Sequence, residues 1–293
     1  MPLHSNLCAA AMLVLLARPV AADVPSVVVD LPVVGSLVAQ VMGDLGQPLV
    51  LLEPGADAHD FQLRPSQAGA VAGAGLVIWI GADMSPWLDR ALAATGNGAV
   101  SVPLLQAPGV RLHPFNGVAG TIDPHAWFDP ANAKAWVDAA AAALAGVDAA
   151  HAATFSANAK RAKAGIDAVD AEVRAIMAPV GDMPVIMFHD AFGYFAATYG
   201  LNIVATVEEG DAADPGAARI AAIRALLQPG GTVCAFPEAN HDPAFLHTIG
   251  EGNNLRIGTE LDPEAVTLEP GPGLYRALMI GVATTIAACA KRQ

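Results

Sequence analysis

Three histidines of this chain, His59, His125 and His189, stand in the same kind of setting. Each follows an apolar, strand-like run or an irregular loop, and each has aspartate and a proline or aromatic residue close by. A fourth candidate, Asp262, ends the last short apolar run of the second half. Open α/β sheets bind ligands beyond the carboxyl ends of their strands, so loops from two such sheets could converge on a shared cleft. Three neutral imidazoles and one carboxylate make a tetrahedral set that carries a net +1 charge with a divalent ion. Imidazole-rich ligation suits Zn²⁺, Cu²⁺ or Ni²⁺, whereas carboxylate-rich ligation suits Mn²⁺. Asp60, Asp123 and Asp190 lie beside the three histidines, placed to accept from the ring N–H that each ligand leaves over. A lone histidine at a strand end is commonly structural; three in equivalent settings favour ligation.

Of the eight histidines, His4 lies in the leader. His113 belongs to the aperiodic loop from Val110 to Thr121. His151 falls near the start of a long helix and is expected to be solvated. His241 and His247 follow Glu238 and are expected outside the primary site. The Glu208–Pro215 loop is read as a solvated turn, with a gate near the cleft as the minor alternative.

The elements that must position these groups centre on the run from Asp148 to Met177. Phe155, Ala159, Ala162, Ile166, Val169, Val173 and Ile176 recur there at steps of four and three, which puts one apolar stripe on a helix. Roughly 30 residues give a rod of about 45 Å. Apolar strand-like runs alternate with helical segments on both sides of it: Val27–Leu31, Leu49–Leu52, Leu76–Ile80 and Ala99–Leu104 before, Val185–Phe188, Leu201–Val207, Thr232–Phe236 and Leu255–Ile257 after. Runs apolar on both faces belong to parallel sheets covered on both sides. The fold class is therefore α/β, two βα lobes with mostly parallel four-stranded sheets joined by one spine helix. The expected division is a signal peptide over 1–22, a first lobe over 23–147, the spine over 148–180 and a second lobe over 181–293.

A formal net charge of −13 argues against nucleic acid as a partner. Only 5% of residues are aromatic, so the core must be built mainly from Val, Leu, Ile and Ala. Leu7–Ala17 followed by Val20-Ala21-Ala22 has the form of a secretory signal, although no Lys or Arg precedes it. Cys8 precedes the apolar run and is badly placed to carry lipid. The expected location is the periplasm, as an exported soluble monomer. Export leaves Cys234 and Cys289 in an oxidising compartment, where they either pair or stay as two buried thiols.

Four stretches make the chain resemble a known family. They are Gly55-Ala56-Asp57-Ala58-His59-Asp60-Phe61, Asp123-Pro124-His125-Ala126-Trp127-Phe128-Asp129-Pro130, Phe188-His189-Asp190-Ala191-Phe192-Gly193-Tyr194-Phe195 and Gly258-Thr259-Glu260-Leu261-Asp262-Pro263. In these stretches, and in their order and spacing, the chain is similar to the zinc branch of the metal-binding proteins that serve bacterial ABC importers. The resemblance implies His59, His125, His189 and Asp262 as ligands for a transported Zn²⁺, a Cys234–Cys289 disulfide, and an ABC permease as partner. Manganese- and iron-binding relatives carry a carboxylate where this chain has His189. The chain departs from many zinc members in its loop at Val110–Thr121, which is short and offers only His113. That departure counts against a collecting role for this loop; if metal is handed over to the chain, a separate periplasmic metal-delivery protein would do it. The alternatives are a manganese or iron carrier and a zinc-dependent hydrolase. No His-Glu-x-x-His motif is present, and a fourth protein ligand would close the position that a hydrolase keeps open, so the expectation is a carrier rather than an enzyme.

Overall fold

Strands in this chain are short and apolar, and each is followed by a helix or a helical turn that covers the sheet. The computed structural model describes residues 25–95, 98–115, 118–208, 210, 215–227, 233–239 and 241–291. Residues 1–22, where a signal peptide is expected, lie outside the described residues, as do Glu209 and residues 211–214 of the loop after Glu208. In order, the first half contains β1 (Val27–Val29), α1 (Pro32–Met42), β2 (Leu49–Val50), α2 (Pro65–Gly73), β3 (Leu76–Trp79), α3 (Pro86–Thr95), β4 (Val100–Pro103) and α4 (Pro130–Val147). The spine helix α5 (Ala152–Met177) follows. The second half contains β5 (Pro184–Met187), α6 (Gly193–Tyr199), β6 (Asn202–Thr206), α7 (Ala217–Leu226), β7 (Val233–Phe236), α8 (Ala244–Gly250), β8 (Leu255–Ile257) and α9 (Leu274–Lys291).

Each half forms a four-stranded, wholly parallel sheet, in the orders β2-β1-β3-β4 and β6-β5-β7-β8. Both sheets thus have the same plan, with the first strand of each half beside its third (Val28 opposite Val77, Val185 opposite Cys234). The carboxyl ends of the central strands lead into the loops that carry Asp30, His189 and Glu238.

The spine is shorter than its periodicity suggests. A separate turn over Ala149–His151, held by the Asp148 carboxylate, precedes α5, so the rod proper has 26 residues and spans about 39 Å. Its buried face holds Phe155, Ala159, Ala162, Ile166, Val169 and Val173 as expected, but ends on Met177 rather than Ile176. Asn158 is buried with them, because its Nδ2 donates 2.8 Å to the Val41 carbonyl in the last turn of α1. The spine packs on α1, α4 and α9, and one continuous apolar core runs from the first sheet through these helices into the second. α9 is long and apolar enough to cross a membrane, but half of it is buried in this core, with Leu278, Val282 and Ile286 facing inward. Hydrophobic burial of that kind is the main favourable term in folding.

Local signals explain several starts and stops. Asp129 caps α4 by accepting from Ala131 N at 2.8 Å, with Pro130 as the first helical residue. α2 starts at Pro65, and the Gln67 side chain reaches back to accept from the Arg64 N–H at 2.8 Å. Asp30, fully buried after β1, accepts from Leu31 N, Ile80 N and Ser85 Oγ at 2.8–2.9 Å and so ties β1 to the end of β3. Burial pushes its carboxyl up to about 6, against the lowering effect of those bonds. In the second half Cys234 on β7 and Cys289 on α9 form a disulfide with a Cα–Cα distance of 6.3 Å.

The lobes meet along an aromatic seam beneath the cleft. Phe128 lies 5.2 Å from Phe192 and 5.9 Å from Phe195 between ring centroids, and the Tyr275 hydroxyl donates 3.1 Å to the Trp127 carbonyl.

Candidate metal centre

The seam brings loops from both lobes to one point. His59 lies in the loop after β2, His125 precedes the short turn Ala126–Phe128, and His189 follows β5. With Glu264, from the loop after β8, they form a group whose ligand atoms all lie within 4.8 Å of one another. His125 Nε2 is 3.3 Å from His189 Nε2. Glu264 Oε1 stands 3.9, 3.5 and 3.8 Å from the Nε2 atoms of His59, His125 and His189. Donors bound to zinc at 2.0–2.1 Å in a tetrahedron are separated by ~3.3 Å, so the set needs only a small contraction. His125 is fully buried and His189 nearly so, while His59 is partly exposed at the mouth.

Asp262 is not part of this group. Its Oδ1 accepts from Val266 N at 3.0 Å, and its Oδ2 from Thr267 N at 2.7 Å and Thr267 Oγ1 at 2.6 Å. The short side chain is used to fold its own loop, and that loop carries Glu264 to the histidines. Ala265 in the same loop takes a positive φ of 61°, the strained conformation on which the tight bend depends.

The outer partners also differ from the expected set. Asp123 stands beside His125, with Oδ1 2.9 Å from both His125 Nδ1 and the His125 backbone N. For His189 the partner is Glu238 rather than Asp190: both Glu238 oxygens stand 2.7 Å from His189 Nδ1. Glu238 is buried just beyond β7, the strand that pairs with β5. Asp60 is exposed, and the His59 loop is instead folded by Asp57, whose Oδ1 accepts from His59 N at 2.8 Å. Sequence reasoning missed Glu264 and Glu238. The signal for Glu238 was available, since it follows a strand of the second sheet just as His189 does.

A cavity of about 120 Å³ opens beside the group, lined in part by Asp57, His59, Glu208, Glu238 and His241. His241 Nε2 is 3.5 Å from Glu238 Oε1, and its ring stacks on that of His189 at 6.5 Å between centroids, so this histidine lies behind the group and is not one of its four members. His113 stacks on Tyr194 at a centroid distance of 3.6 Å. His151 bonds Asp148 at 2.6 Å, and His247 is exposed on α8.

The electrostatics match a dication. Burial alone would depress the His189 imidazole, but the charge and hydrogen bond of Glu238, with the charge of Glu264, outweigh it and bring it up to about 9. Burial likewise would raise Glu264, but His125 Nε2 at 3.5 Å and the charges of His189, His125 and His59 hold it down at about 2. Three carboxylates (Glu264, Asp123 and Glu238) thus face three imidazoles in a mostly buried space.

Two parallel βα lobes on one spine thus bring three imidazoles and one carboxylate together in the cleft between them. The chain belongs to the family described as the periplasmic component A of the zinc-uptake complex, whose model matches residues 27–289. It is 40% identical over 97% of its length to the high-affinity zinc uptake system protein ZnuA of Paracoccus denitrificans (strain Pd 1222), covering 98% of that protein. It is 30% identical to the protein of the same name from Brucella abortus (strain 2308), covering 98% of each chain. Among solved structures, a crystal structure of ZnuA superposes with a TM-score of 0.78 at 22% identity, covering 92% of this chain and all of that one.

Proposed function

We propose that this chain captures Zn²⁺ in the periplasm, between its two lobes, and presents it to the permease of an ABC-type importer. The observation that carries the reading is the group of three imidazole nitrogens and one carboxylate oxygen within 4.8 Å of one another. Family membership and the names of the relatives support zinc as the cargo and import as the purpose. In this reading His59, His125 and His189 bind through Nε2 and Glu264 supplies the fourth donor. Asp123 and Glu238 hold the Nδ1 atoms of His125 and His189, fixing ring orientation and raising ligand basicity. Residues 23–147 and 181–293 are the two capturing lobes and 148–180 their connection.

Four protein donors leave no position for an activated water, which favours a carrier over a hydrolase. Nitrogen-rich ligation favours zinc over manganese or iron. The imidazoles bind only when neutral, so capture is coupled to proton release.

The test is a competition titration of the purified mature protein against a chelator of known zinc affinity, with Mn²⁺ as the rival ion and an ester and a phosphoester as hydrolysis probes. One tightly held Zn²⁺ per chain, no turnover, and a loss of more than about 100-fold in His125→Ala are expected, beyond what an outer partner costs. A preference for Mn²⁺, or zinc binding unchanged in His125→Ala, would overturn the reading.

A further inference from the structure

Both ends of the 113–123 loop of the first lobe close on one side chain of the second. The Tyr194 hydroxyl, in the first turn of α6, accepts from His113 N at 3.3 Å and donates to the Asp123 carbonyl at 3.0 Å. The ring is completed by Asp123 N, which donates 3.0 Å to the His113 carbonyl. Tyr194 is 2% exposed, and its ring lies against the His113 imidazole. The residue thus clamped, Asp123, is the one whose Oδ1 holds His125 Nδ1.

The other face of Asp123 is equally confined. Its Oδ2 is buried without a hydrogen-bond partner and rests against Gly193. A Cβ at Gly193 would stand 2.8 Å from Asp123 Oδ2 and 3.3 Å from His113 Cε1, so hydrogen is the only side chain the contact admits. Neighbouring residues of α6 therefore fix Asp123 from two directions, Tyr194 at its backbone carbonyl and Gly193 at its carboxylate.

We infer that Tyr194 is a positioning residue for the cation site: its hydroxyl sets Asp123, Asp123 sets the His125 imidazole, and the geometry of a first-lobe ligand thereby depends on contact with the second lobe. Removing the hydroxyl leaves the His113 N–H and the Asp123 carbonyl without their cross-lobe partner. The carboxylate that aims His125 is then free to drift. The consequence is that lobe contact and cation affinity rise and fall together, which gives a carrier a way to weaken its hold when a partner shifts the lobes. The inference rests on the reading of His59, His125, His189 and Glu264 as a cation site.

The experiment is a zinc competition titration of the mature protein as wild type, His125→Ala, Tyr194→Phe, Asp123→Ala and the Tyr194→Phe/Asp123→Ala double variant, each checked by thermal melting. Tyr194→Phe keeps the ring on His113 and should weaken zinc about 10-fold, the lower end of what an outer-partner loss costs. In the Asp123→Ala background the same change should add less than about threefold, because the pathway through Asp123 is already cut. Gly193→Ala, which removes no hydrogen-bonding group, should also weaken zinc. The Nδ1–H proton resonance of His125 in the zinc-loaded protein should move in Tyr194→Phe. A merely structural tyrosine would lower the melting temperature and leave both the resonance and the affinity in place. If His125→Ala loses zinc while Tyr194→Phe stays within twofold of wild type, the inference fails and the site reading stands. If His125→Ala binds as wild type, the site reading itself fails. Penalties that multiply in the double variant would also overturn the role assigned to Tyr194.

Discussion

Replacing Glu238 with Gln should change how many protons zinc displaces. In the metal-free protein the His189–Glu238 pair holds a proton that leaves at about 9, against 6.5 for an ordinary histidine. At pH 7 the Nε2 position of His189 is therefore almost always protonated, and a metal must expel that proton to bind. Two pH units below the pKa this costs ~100-fold in apparent affinity, or about 3 kcal/mol. Glu238→Gln removes the charge and the charge-assisted bond that raise His189. Burial, the largest influence and a lowering one, is then opposed only by Glu264. The proton that His189 gives up per zinc at pH 7.5 should fall from about one in wild type to a smaller fraction in the variant. The variant also loses the basicity that Glu238 lends the ring, worth about 10- to 100-fold in intrinsic affinity. Near pH 9 that loss appears in full, and near pH 7 the easier deprotonation offsets much of it. Calorimetric titration in buffers of different ionisation enthalpy gives the proton count directly. Equal proton release in wild type and Glu238→Gln would refute the reasoning.

The same shift has a sign for stability. A histidine whose folded pKa lies above its unfolded value stabilises the fold below about 6.5, and the contribution is lost as pH rises to about 9; for His189 it amounts to about 3 kcal/mol. The metal-free melting temperature should therefore fall across that window, while the increment from added zinc grows. Asp30→Asn puts an amide among three donors that the carboxylate accepts from, and should cost about 2–3 kcal/mol in denaturant titration. Reducing the Cys234–Cys289 bond, which closes a 55-residue separation, should cost about 4 kcal/mol and show as a lower denaturation midpoint in reductant. Gly258→Ala would set a Cβ 2.5 Å from Cε1 of the fully buried Phe236, and should lower stability by about 1–3 kcal/mol in the same assay.

Much of this architecture was legible because its signals are local. Runs such as Leu76–Trp79 announce covered parallel strands, and the four- and three-residue steps from Phe155 to Val173 announce the spine. The three histidines were legible as a group because strand ends of parallel sheets converge. The carboxylate that the structure brings to them was not. Asp262 and Glu264 are two positions apart, and which carboxylate faces the cleft depends on how the loop spends its hydrogen bonds. Asp262 is consumed by Val266 and Thr267, and the longer Glu264 makes the reach. Glu238 escaped for a related reason: its partner, His189, lies 49 residues away and becomes a neighbour only when β5 pairs with β7. Asn158 shows the same limit on the spine, a polar residue buried because the end of α1 needs a donor there.

The most direct test of the account is a crystal structure of the zinc-loaded protein with diffraction recorded at the zinc absorption edge. The account predicts one anomalous peak, about 2.0–2.2 Å from Nε2 of His59, His125 and His189 and from a Glu264 oxygen. Asp262 should still be bonded to Val266 and Thr267. A peak elsewhere, or one completed by Asp262 or by water while Glu264 turns away, would contradict it.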